Sequence, residues 1–246
     1  ETDDIITLAA GEYELAANEC IKLNKKITIQ GTGEETIIKG SSTQDYNNGL
    51  LTFVGGSEGS VIKDLTIEYT SSGAQNAAVY FGYGFDGGSA DNVTKIQNVD
   101  FKGSDELDTE KAIAISSAYI KGGFVEITGC SIKNFAYGMY FNGIHDLTVA
   151  DNTIDGTKYN AINIAADNED YACSDITISD NILTNISTAN YDDETYSSGI
   201  NLGESASSVM LEDNDITMSN GKKPINVVKP SDDNGNITAT FVYGDY

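Results

Sequence analysis

Short alternations of apolar and polar residues recur along the chain, and apolar residues at helical spacing are scarce. Glycine, asparagine, aspartate and serine separate these alternations, which is the pattern of short β-strands joined by turns. The clearest copies are VEITGCSI (Val125–Ile132), LTVADNTI (Leu147–Ile154), ITISDNIL (Ile176–Leu183) and VMLEDNDI (Val209–Ile216). In each copy two alternating apolar residues are followed by a turn position and a further apolar residue. Together with two more degenerate copies, they place this turn position every 22 to 34 residues.

A second short strand is predicted after each copy. It starts with a small residue or proline, which is followed by two apolar residues that flank one outward position. Its members are AVYF (Ala78–Phe81), AIAI (Ala112–Ile115), GMYF (Gly138–Phe141), AINI (Ala161–Ile164), GINL (Gly199–Leu202) and PINV (Pro224–Val227).

One such unit cannot bury its apolar residues alone, so neighbouring units must stack, with equivalent strands about 4.8 Å apart. The resulting sheets are parallel, and their connections are expected to be right-handed. Asn152, Asn181 and Asn214 should then lie above one another, each amide bonded to the next. The prediction is an all-β fold: a single-stranded right-handed parallel β-helix (solenoid) of roughly eight coils. Residues 1–246 are expected to form one domain excised from a longer surface or secreted protein, with further domains flanking it.

A leucine-rich repeat is the alternative architecture, because IHDLTVADNTI (Ile144–Ile154) fits the template L-x-x-L-x-L-x-x-N-x-L. That template recurs every about 20–29 residues, with a helix or a single turn after each strand. Here the interval reaches 34 residues, a second strand follows, and leucine is not dominant. The β-helix is therefore the favoured interpretation.

The arrangement resembles the right-handed parallel β-helix superfamily of pectate lyases and polygalacturonases over nearly the whole chain. The opening segment, Ile6–Gly40, is similar to the first coils of that superfamily, with a strand, a Gly-x-Tyr turn and an ITI-x-G strand. The resemblance implies a ligand-binding groove over the sheet that the second strands form.

The outward residues of that sheet are the candidate ligand-binding residues. Tyrosine rings offer flat apolar faces for stacking on sugars, and asparagine amides offer donors and acceptors for hydroxyls. Apart from Ala114, all of the outward positions are therefore predicted to bind a saccharide, although exposed strands also carry tyrosine and asparagine without any function. These positions are Tyr80, Ala114, Tyr140, Asn163, Asn201 and Asn226.

The catalytic motifs of that superfamily are missing from the corresponding positions. Polygalacturonase-like hydrolases resemble one another in NTD and GDD motifs, but this chain has YNAI (Tyr159–Ile162) and SSGI (Ser197–Ile200), which supply no acid and base carboxylates. Pectin methylesterases and most pectate lyases use an arginine, whereas all 14 basic residues here are lysines. No catalytic residue is predicted. Some β-helix lyases use lysine beside bound Ca²⁺, and Lys111 and Lys158 lie just before second strands, so this route stays open.

The chain has 38 acidic and 14 basic residues, a net charge of −24, and this balance predicts no nucleic-acid partner. No apolar run reaches the about 18 residues of a membrane helix, so no membrane insertion is expected. Two acidic clusters, Asp167 with Glu169 and Asp170, and Asp192 with Asp193 and Glu194, could hold Ca²⁺ through oxygen ligands. Neither has EF-hand spacing, so solvated loops are favoured and no cofactor is predicted.

The single histidine and the three cysteines suggest no catalytic or metal site. His145 is expected in a turn, and Cys130 is expected to be structural. For Cys20, Cys130 and Cys173, one disulfide with a free thiol and three free thiols both fit the sequence.

Two functions follow as hypotheses. The favoured one is a non-catalytic, extracellular or cell-surface module of a bacterial protein, adhesin-like or carbohydrate-binding. The alternative is a polysaccharide lyase or glycoside hydrolase with an atypical lysine or carboxylate site. In either case the acidic surface favours a neutral glycan as the partner, because it would repel a polyuronate.

Overall fold

The computed structural model describes residues 4–46, 49–166, 168–189 and 191–228, together with the strand at 240–241. Its strands form one 15-stranded and one 8-stranded sheet, and the strand pairs within both are parallel. The predicted all-β parallel β-helix is confirmed. None of the helices within the described ranges is long and apolar enough to cross a membrane.

The 15-stranded sheet bends along two long strands, β7 (Val61–Ser71) and β9 (Thr94–Lys102), each of which pairs with two shorter strands of an adjoining coil. The first half of each long strand lies on face A, and the second half lies on face B. The other strands of face A are β1 (Asp4–Thr7), β4 (Ile27–Gln30), β11 (Gly122–Thr128), β14 (Ile144–Ala150), β17 (Cys173–Ser179), β20 (Ala206–Glu212) and β23 (Thr240–Phe241). Those of face B are β2 (Gly11–Glu14), β5 (Thr36–Ser42), β12 (Ser131–Phe135), β15 (Thr153–Thr157), β18 (Ile182–Ile186) and β21 (Asp215–Met218).

The 8-stranded sheet forms face C and consists of the second strands of the repeat. These are β3 (Ile21–Leu23), β6 (Gly49–Phe53), β8 (Ala77–Phe81), β10 (Ile113–Ser117), β13 (Tyr137–Phe141), β16 (Ile162–Ile164), β19 (Ile200–Leu202) and β22 (Ile225–Val227). Two short helical turns lie in the loops beside this face: a 3₁₀ turn at Glu169–Tyr171 and the helix α1 at Glu194–Ser197.

The predicted asparagine ladder is present at the turn between faces A and B. Nδ2 of Asn152 donates to Oδ1 of Asn181 at 3.0 Å, and Nδ2 of Asn181 donates to Oδ1 of Asn214 at 2.8 Å. Each oxygen also accepts a backbone N–H of the preceding coil, including that of Cys130 at 2.9 Å from Asn152 Oδ1. The ladder therefore satisfies backbone groups that the buried turn would otherwise leave unpaired.

The residue before each ladder position has a left-handed backbone, with φ between 49° and 64°. Left-handed φ is strained for most side chains and is tolerated by glycine, asparagine and aspartate. This requirement explains the repeated Asp-Asn pairs of the sequence. The positions are Asp64, Asn98, Gly129, Asp151, Asp180 and Asp213.

The core consists of columns of inward side chains, one from each coil. On face A, one column runs through Ile62, Ile96, Ile127, Val149, Ile178 and Leu211, all of them buried. On face C, the rings of Phe53 and Phe81 are stacked with centroids 4.9 Å apart. Burial of each such side chain contributes about 1.5–3 kcal/mol, and this burial is possible only because the coils are in register.

The prediction that Ala114 points outward in the same column as Tyr80 is wrong. Ile113 pairs with Ala77 and with Tyr137, so Ser116 occupies the position beside Tyr80 and Tyr140. Ala114 is fully buried, at the small-residue position at the start of the strand. The error arises because side chains two residues apart on a strand point to the same face, so the alternation alone does not distinguish Ala114 from Ser116.

The three cysteines are free thiols in the structure. This agrees with one of the two alternatives from the sequence, three free thiols. Cys130 and Cys173 are buried, and burial raises the pKa of the Cys130 thiol to about 12. At neutral pH this thiol is therefore protonated and unreactive.

Candidate functional site

Strand register places the five predicted binding residues in a single outward column on face C. The column runs from Tyr80 through Ser116 to Tyr140, Asn163, Asn201 and Asn226, and each residue is the direct partner of the next. The sequence-based prediction that these residues share a face therefore agrees with the geometry. Their role in binding stays a prediction.

The three asparagines of this column form a second amide ladder. Nδ2 of Asn201 donates to Oδ1 of Asn163 at 2.9 Å, and Nδ2 of Asn226 donates to Oδ1 of Asn201 at 2.8 Å. Asn163 and Asn201 are only 2% and 1% exposed. They are thus not the open platform that the sequence suggests, because part of the chain covers them.

The cover comes from the loop that carries α1. Together with the column it lines a half-open cavity of about 290 Å³. The cavity is lined by Tyr140, Asn163, Ala165, Thr195, Tyr196, Asn201, Gly203, Glu204 and Val228. Three of the five predicted binding residues therefore line one cavity, and Tyr80 and Asn226 lie outside it in the same column.

Ionic and hydrogen-bonding contacts hold the loop of α1 in place. Glu194 forms an ion pair with Lys223 at 2.6 Å, and Asp193 caps α1 by accepting the N–H of Thr195. Nδ2 of Asn160 donates to the carbonyl oxygen of Ser198 at 2.8 Å. The wall of the cavity is therefore anchored at the end of the loop that follows α1.

Tyrosines surround the cavity beyond the column itself. The rings of Tyr137 and Tyr140 meet edge to face at 5.6 Å, Tyr137 stacks on Tyr159 at 4.8 Å, and Tyr159 contacts Tyr191 at 5.3 Å. We call Tyr137, Tyr159 and Tyr191 the tyrosine wall. With Tyr196, these residues were missed by the sequence analysis, which considered only outward strand positions. The signal in the sequence was the recurrence of tyrosine in the segments just before the second strands.

Burial raises the pKa of three tyrosines in this region, Tyr137, Tyr159 and Tyr80. Burial, followed by the neighbouring tyrosines, raises the pKa of Tyr137 far above its ordinary value. Burial and the hydrogen bond with Tyr191 raise the pKa of Tyr159 to about 12. Burial also raises the pKa of Tyr80, which lies near Tyr119. The rings therefore offer neutral hydroxyl groups throughout the physiological range.

The candidate catalytic lysines do not line the cavity. Lys158 donates from Nζ to the carbonyl oxygen of Asp108 and lies 5.7 Å from the centroid of the Tyr159 ring. The backbone N–H of Lys111 donates to the buried carboxylate of Glu110. Glu204 is the one carboxylate among the lining residues of this described cavity, whereas glycoside hydrolysis ordinarily uses two.

His145 lies in strand β14 rather than in a turn, and its Nδ1 is 2.8 Å from a carboxylate oxygen of Asp146. It belongs to face A and is remote in the fold from the column on face C. The prediction that His145 lies in a turn is therefore wrong. The residue with the left-handed backbone conformation is its neighbour, Asp146.

Two carboxylates of the second acidic cluster are paired with lysines. Asp192 and Glu194 pair with Lys222 and Lys223, which draws their carboxylates to different cations. Asp167 lies outside the described residues. Within the described ranges, no group of three or more histidine, cysteine, aspartate or glutamate side chains is placed to hold a metal ion. Binding of Ca²⁺ by these loops stays a hypothesis from the sequence.

A second, wider groove of about 570 Å³ lies along face B and is lined by charged residues. Its central cation, Lys39, is 2.9 Å from Glu12 and 3.2 Å from Glu68. The hydrogen bonds to Glu12 and Glu68 raise the pKa of this lysine. The charge of Lys39 is thus already paired within the protein, which makes this groove a weaker candidate than the cavity on face C.

Comparison with known proteins identifies the family. Residues 53–240 match the family model described as the right handed beta helix region. No curated protein sequence matches the chain. The solved structures similar to it include the catalytic domain of a GH87 α-1,3-glucanase in complex with tetrasaccharides (15% identity, TM-score 0.51, covering 86% of this chain and 41% of that chain). ORF18 of Geobacillus virus E2 is similar as well (11% identity, TM-score 0.50, covering 91% of this chain and 42% of that chain).

The chain spans about two fifths of the length of these proteins. At this level of identity the likeness concerns the fold alone. Because the family model covers most of the chain, and the parallel coils and turn ladder agree with it, the chain belongs to the right-handed β-helix family.

Proposed function

We propose that the chain is a non-catalytic, carbohydrate-binding module that holds a neutral glycan in the cavity on face C. One observation carries the proposal: Tyr140 and Tyr196 line the same cavity as Asn163 and Asn201, whose side-chain amides form the ladder. A sugar ring has apolar C–H faces that stack on aromatic rings and hydroxyl groups that pair with amides. Cavities with apolar walls and a few fixed polar groups are the usual form of ligand sites.

The amides of the column retain capacity for a ligand. Asn201 uses one N–H for Asn163 and one lone pair for Asn226. An asparagine side chain has two N–H groups and two lone pairs, so one donor and one acceptor of Asn201 lie outside the ladder, and a sugar hydroxyl would have to reach them through the cavity. The ladder also fixes the orientation of the amide, which lowers the entropic cost of binding.

Charge supports a neutral ligand. The exposed carboxylate of Glu204 lines the cavity, and Asp192, Asp193 and Glu194 lie in the loop beside it. The net charge of the chain is −24. A polyuronate or sulfated glycan would meet repulsion on approach, whereas a neutral glycan would not. Binding of such a glycan suits an extracellular or cell-surface module with an adhesin-like role, and this location is part of the proposal.

The experiment is a screen of the purified chain against neutral and acidic glycans, with binding and product release measured on the same samples. We expect binding to at least one neutral glycan, without new reducing ends or unsaturated products. Tyr140→Ala should weaken that binding about tenfold or more, because a stacking surface is lost. Tyr140→Phe should retain most of it, since the ring remains.

Tyr13→Ala is the matched control, because Tyr13 is a partly exposed tyrosine on face B. Binding that Tyr140→Ala leaves unchanged would contradict a site on face C. Release of unsaturated or reducing products by the wild-type chain would replace the non-catalytic proposal with the lyase or hydrolase alternative.

A further inference from the structure

We propose that the tyrosine wall is a second sugar-binding subsite adjoining the cavity, so that the module binds an oligosaccharide chain across both. This inference rests on the proposed function and adds to it the size of the ligand and the residues that select for size.

The first step is the size of the cavity. Its volume of about 290 Å³ is at the lower limit of ligand pockets, which range from about 300 to 1,000 Å³. A cavity of this size suits one sugar ring in contact with Asn163 and Asn201. The remaining rings of a longer glycan must then lie on the surface next to the cavity.

The second step is the continuity of aromatic surface. Tyr140 lines the cavity and contacts Tyr137, which stacks on Tyr159 at an interplanar angle of 30°. Tyr159 in turn contacts Tyr191. Successive ring centroids are 5.6, 4.8 and 5.3 Å apart, so the four rings form a continuous row of contacts that starts at the cavity and ends in the loop before α1.

The third step is exposure. Tyr137 and Tyr159 are half-buried, but Tyr191 is 48% exposed and Tyr196 is 45% exposed. Large exposed rings next to a cavity mark binding surfaces more often than isolated exposed rings do. Stacking on the C–H faces of sugars is the interaction that exposed tyrosine rings offer.

The fourth step is rigidity. The backbone N–H groups of Ser187 and Ala189 donate to the carbonyl oxygens of Tyr159 and Lys158 at 3.2 and 3.1 Å. These bonds hold the start of the loop that carries Tyr191, and the hydrogen bond from Nδ2 of the buried Asn160 to the carbonyl oxygen of Ser198 holds its end. Rings held in place before binding lose little conformational freedom when a ligand arrives.

The test is the dependence of affinity on chain length, measured by calorimetry. The probes are the mono-, di- and tetrasaccharides of glucose, galactose, mannose and xylose. We expect the wild-type chain to bind a tetrasaccharide about tenfold or more tightly than the corresponding monosaccharide. Tyr191→Ala should remove most of this preference while leaving monosaccharide affinity unchanged, and Tyr191→Phe should retain it because the ring remains.

Tyr13→Ala serves as the control, and the melting temperature of each variant is recorded. If Tyr191 only packs the loop, Tyr191→Ala will lower the melting temperature and leave the chain-length preference at its wild-type value, and that result overturns the inference. Equal affinity of the wild-type chain for mono- and tetrasaccharides overturns it too, while the proposed cavity site survives. Failure of every probe to bind the wild-type chain overturns the proposed function, and the inference with it.

Discussion

Asn201 donates a hydrogen bond from Nδ2 to Oδ1 of Asn163 over 2.9 Å, although 38 residues separate the two along the chain. Both side chains point outward from face C, yet both are almost completely buried. The bond therefore links two successive coils beneath the loop that carries α1. It is both a structural contact and the base of the proposed binding cavity.

Replacing Asn201 with aspartate should destabilise the protein at neutral pH. The carboxylate cannot donate to Asn163 Oδ1, and a charge would be buried beside another acceptor. We expect the free energy of unfolding to fall by about 2–4 kcal/mol, measured by urea denaturation.

The same variant should recover part of this loss in acid. Burial raises the folded-state pKa of the introduced carboxyl above its unfolded value, so the loss is small below about pH 4, where the group is protonated and can donate. The loss grows as pH rises through the folded-state pKa. Asn226→Asp, at a half-buried position, is the control and should cost less. An equal loss for Asn201→Asp at all pH values would contradict this account.

Asn181→Ala should be among the most destabilising single substitutions in the turn ladder. Its Nδ2 donates to Asn214 and to the carbonyl oxygen of Val149, and its Oδ1 accepts the backbone N–H of Asn152. Truncation leaves buried backbone groups unpaired, so we expect a loss of about 2–4 kcal/mol in the free energy of unfolding. The exposed Thr153→Ala should change it by less than about 0.5 kcal/mol. Similar losses for the two variants would mean that the ladder contributes little.

Glu110 should stabilise the insertion before β10 through a single carboxylate oxygen. Oε1 of this residue, which is 3% exposed, accepts the backbone N–H groups of Ser71, Lys111 and Ala112 at 2.8, 2.9 and 2.7 Å. Glu110→Ala should lower the free energy of unfolding by about 2–4 kcal/mol, and Glu110→Gln by less, because an acceptor remains.

The exposed Glu106→Ala, in the same insertion, is the matched control and should stay within about 0.5 kcal/mol of the wild type. Thermal and urea denaturation measure all three variants. A loss for Glu110→Gln as large as that for Glu110→Ala would show that the charge, rather than the acceptor geometry, determines the effect.

Stability should fall as the pH rises from about 10 to 12. Burial raises the pKa of Tyr69 and of Tyr159 to about 12, and it raises the pKa of Tyr80 and Tyr137 as well. The folded state therefore holds these protons at a pH where the unfolded chain releases them. The stabilisation is complete below the unfolded-state pKa of about 10 and is lost as pH rises through the folded-state values, by at most about 1.4 kcal/mol per pH unit for each tyrosine.

Phenolate absorbance and circular dichroism measured together test this prediction. The tyrosines with a raised pKa should ionise above the ordinary value of about 10, or together with unfolding. Tyr137→Phe should remove part of the dependence of stability on alkaline pH. Ionisation of all tyrosines near pH 10 without loss of structure would contradict the burial account.

The sequence predicted the fold class, the turn ladder and five of the six residues in the outward column of face C. It could do so because strand side chains alternate with a period of two, and because a stacked turn needs the same hydrogen-bonding residue in successive coils. Asn152, Asn181 and Asn214 were identifiable for that reason. The alternation could not fix register within β10, where Ala114 and Ser116 fit the period equally well.

Which outward residues line a cavity, and which are covered, depends on how the loops pack against the coils and could not be predicted. The burial of Asn163 and Asn201, and the contacts of Tyr191 with Tyr159, depend on where the loop before β19 packs. The conformation of that loop follows from contacts with coils before and after it, such as those of Lys158 and Lys223, and not from any local periodicity. Sequence patterns report the repeating part of a β-helix, whereas a binding site is built from the segments that do not repeat.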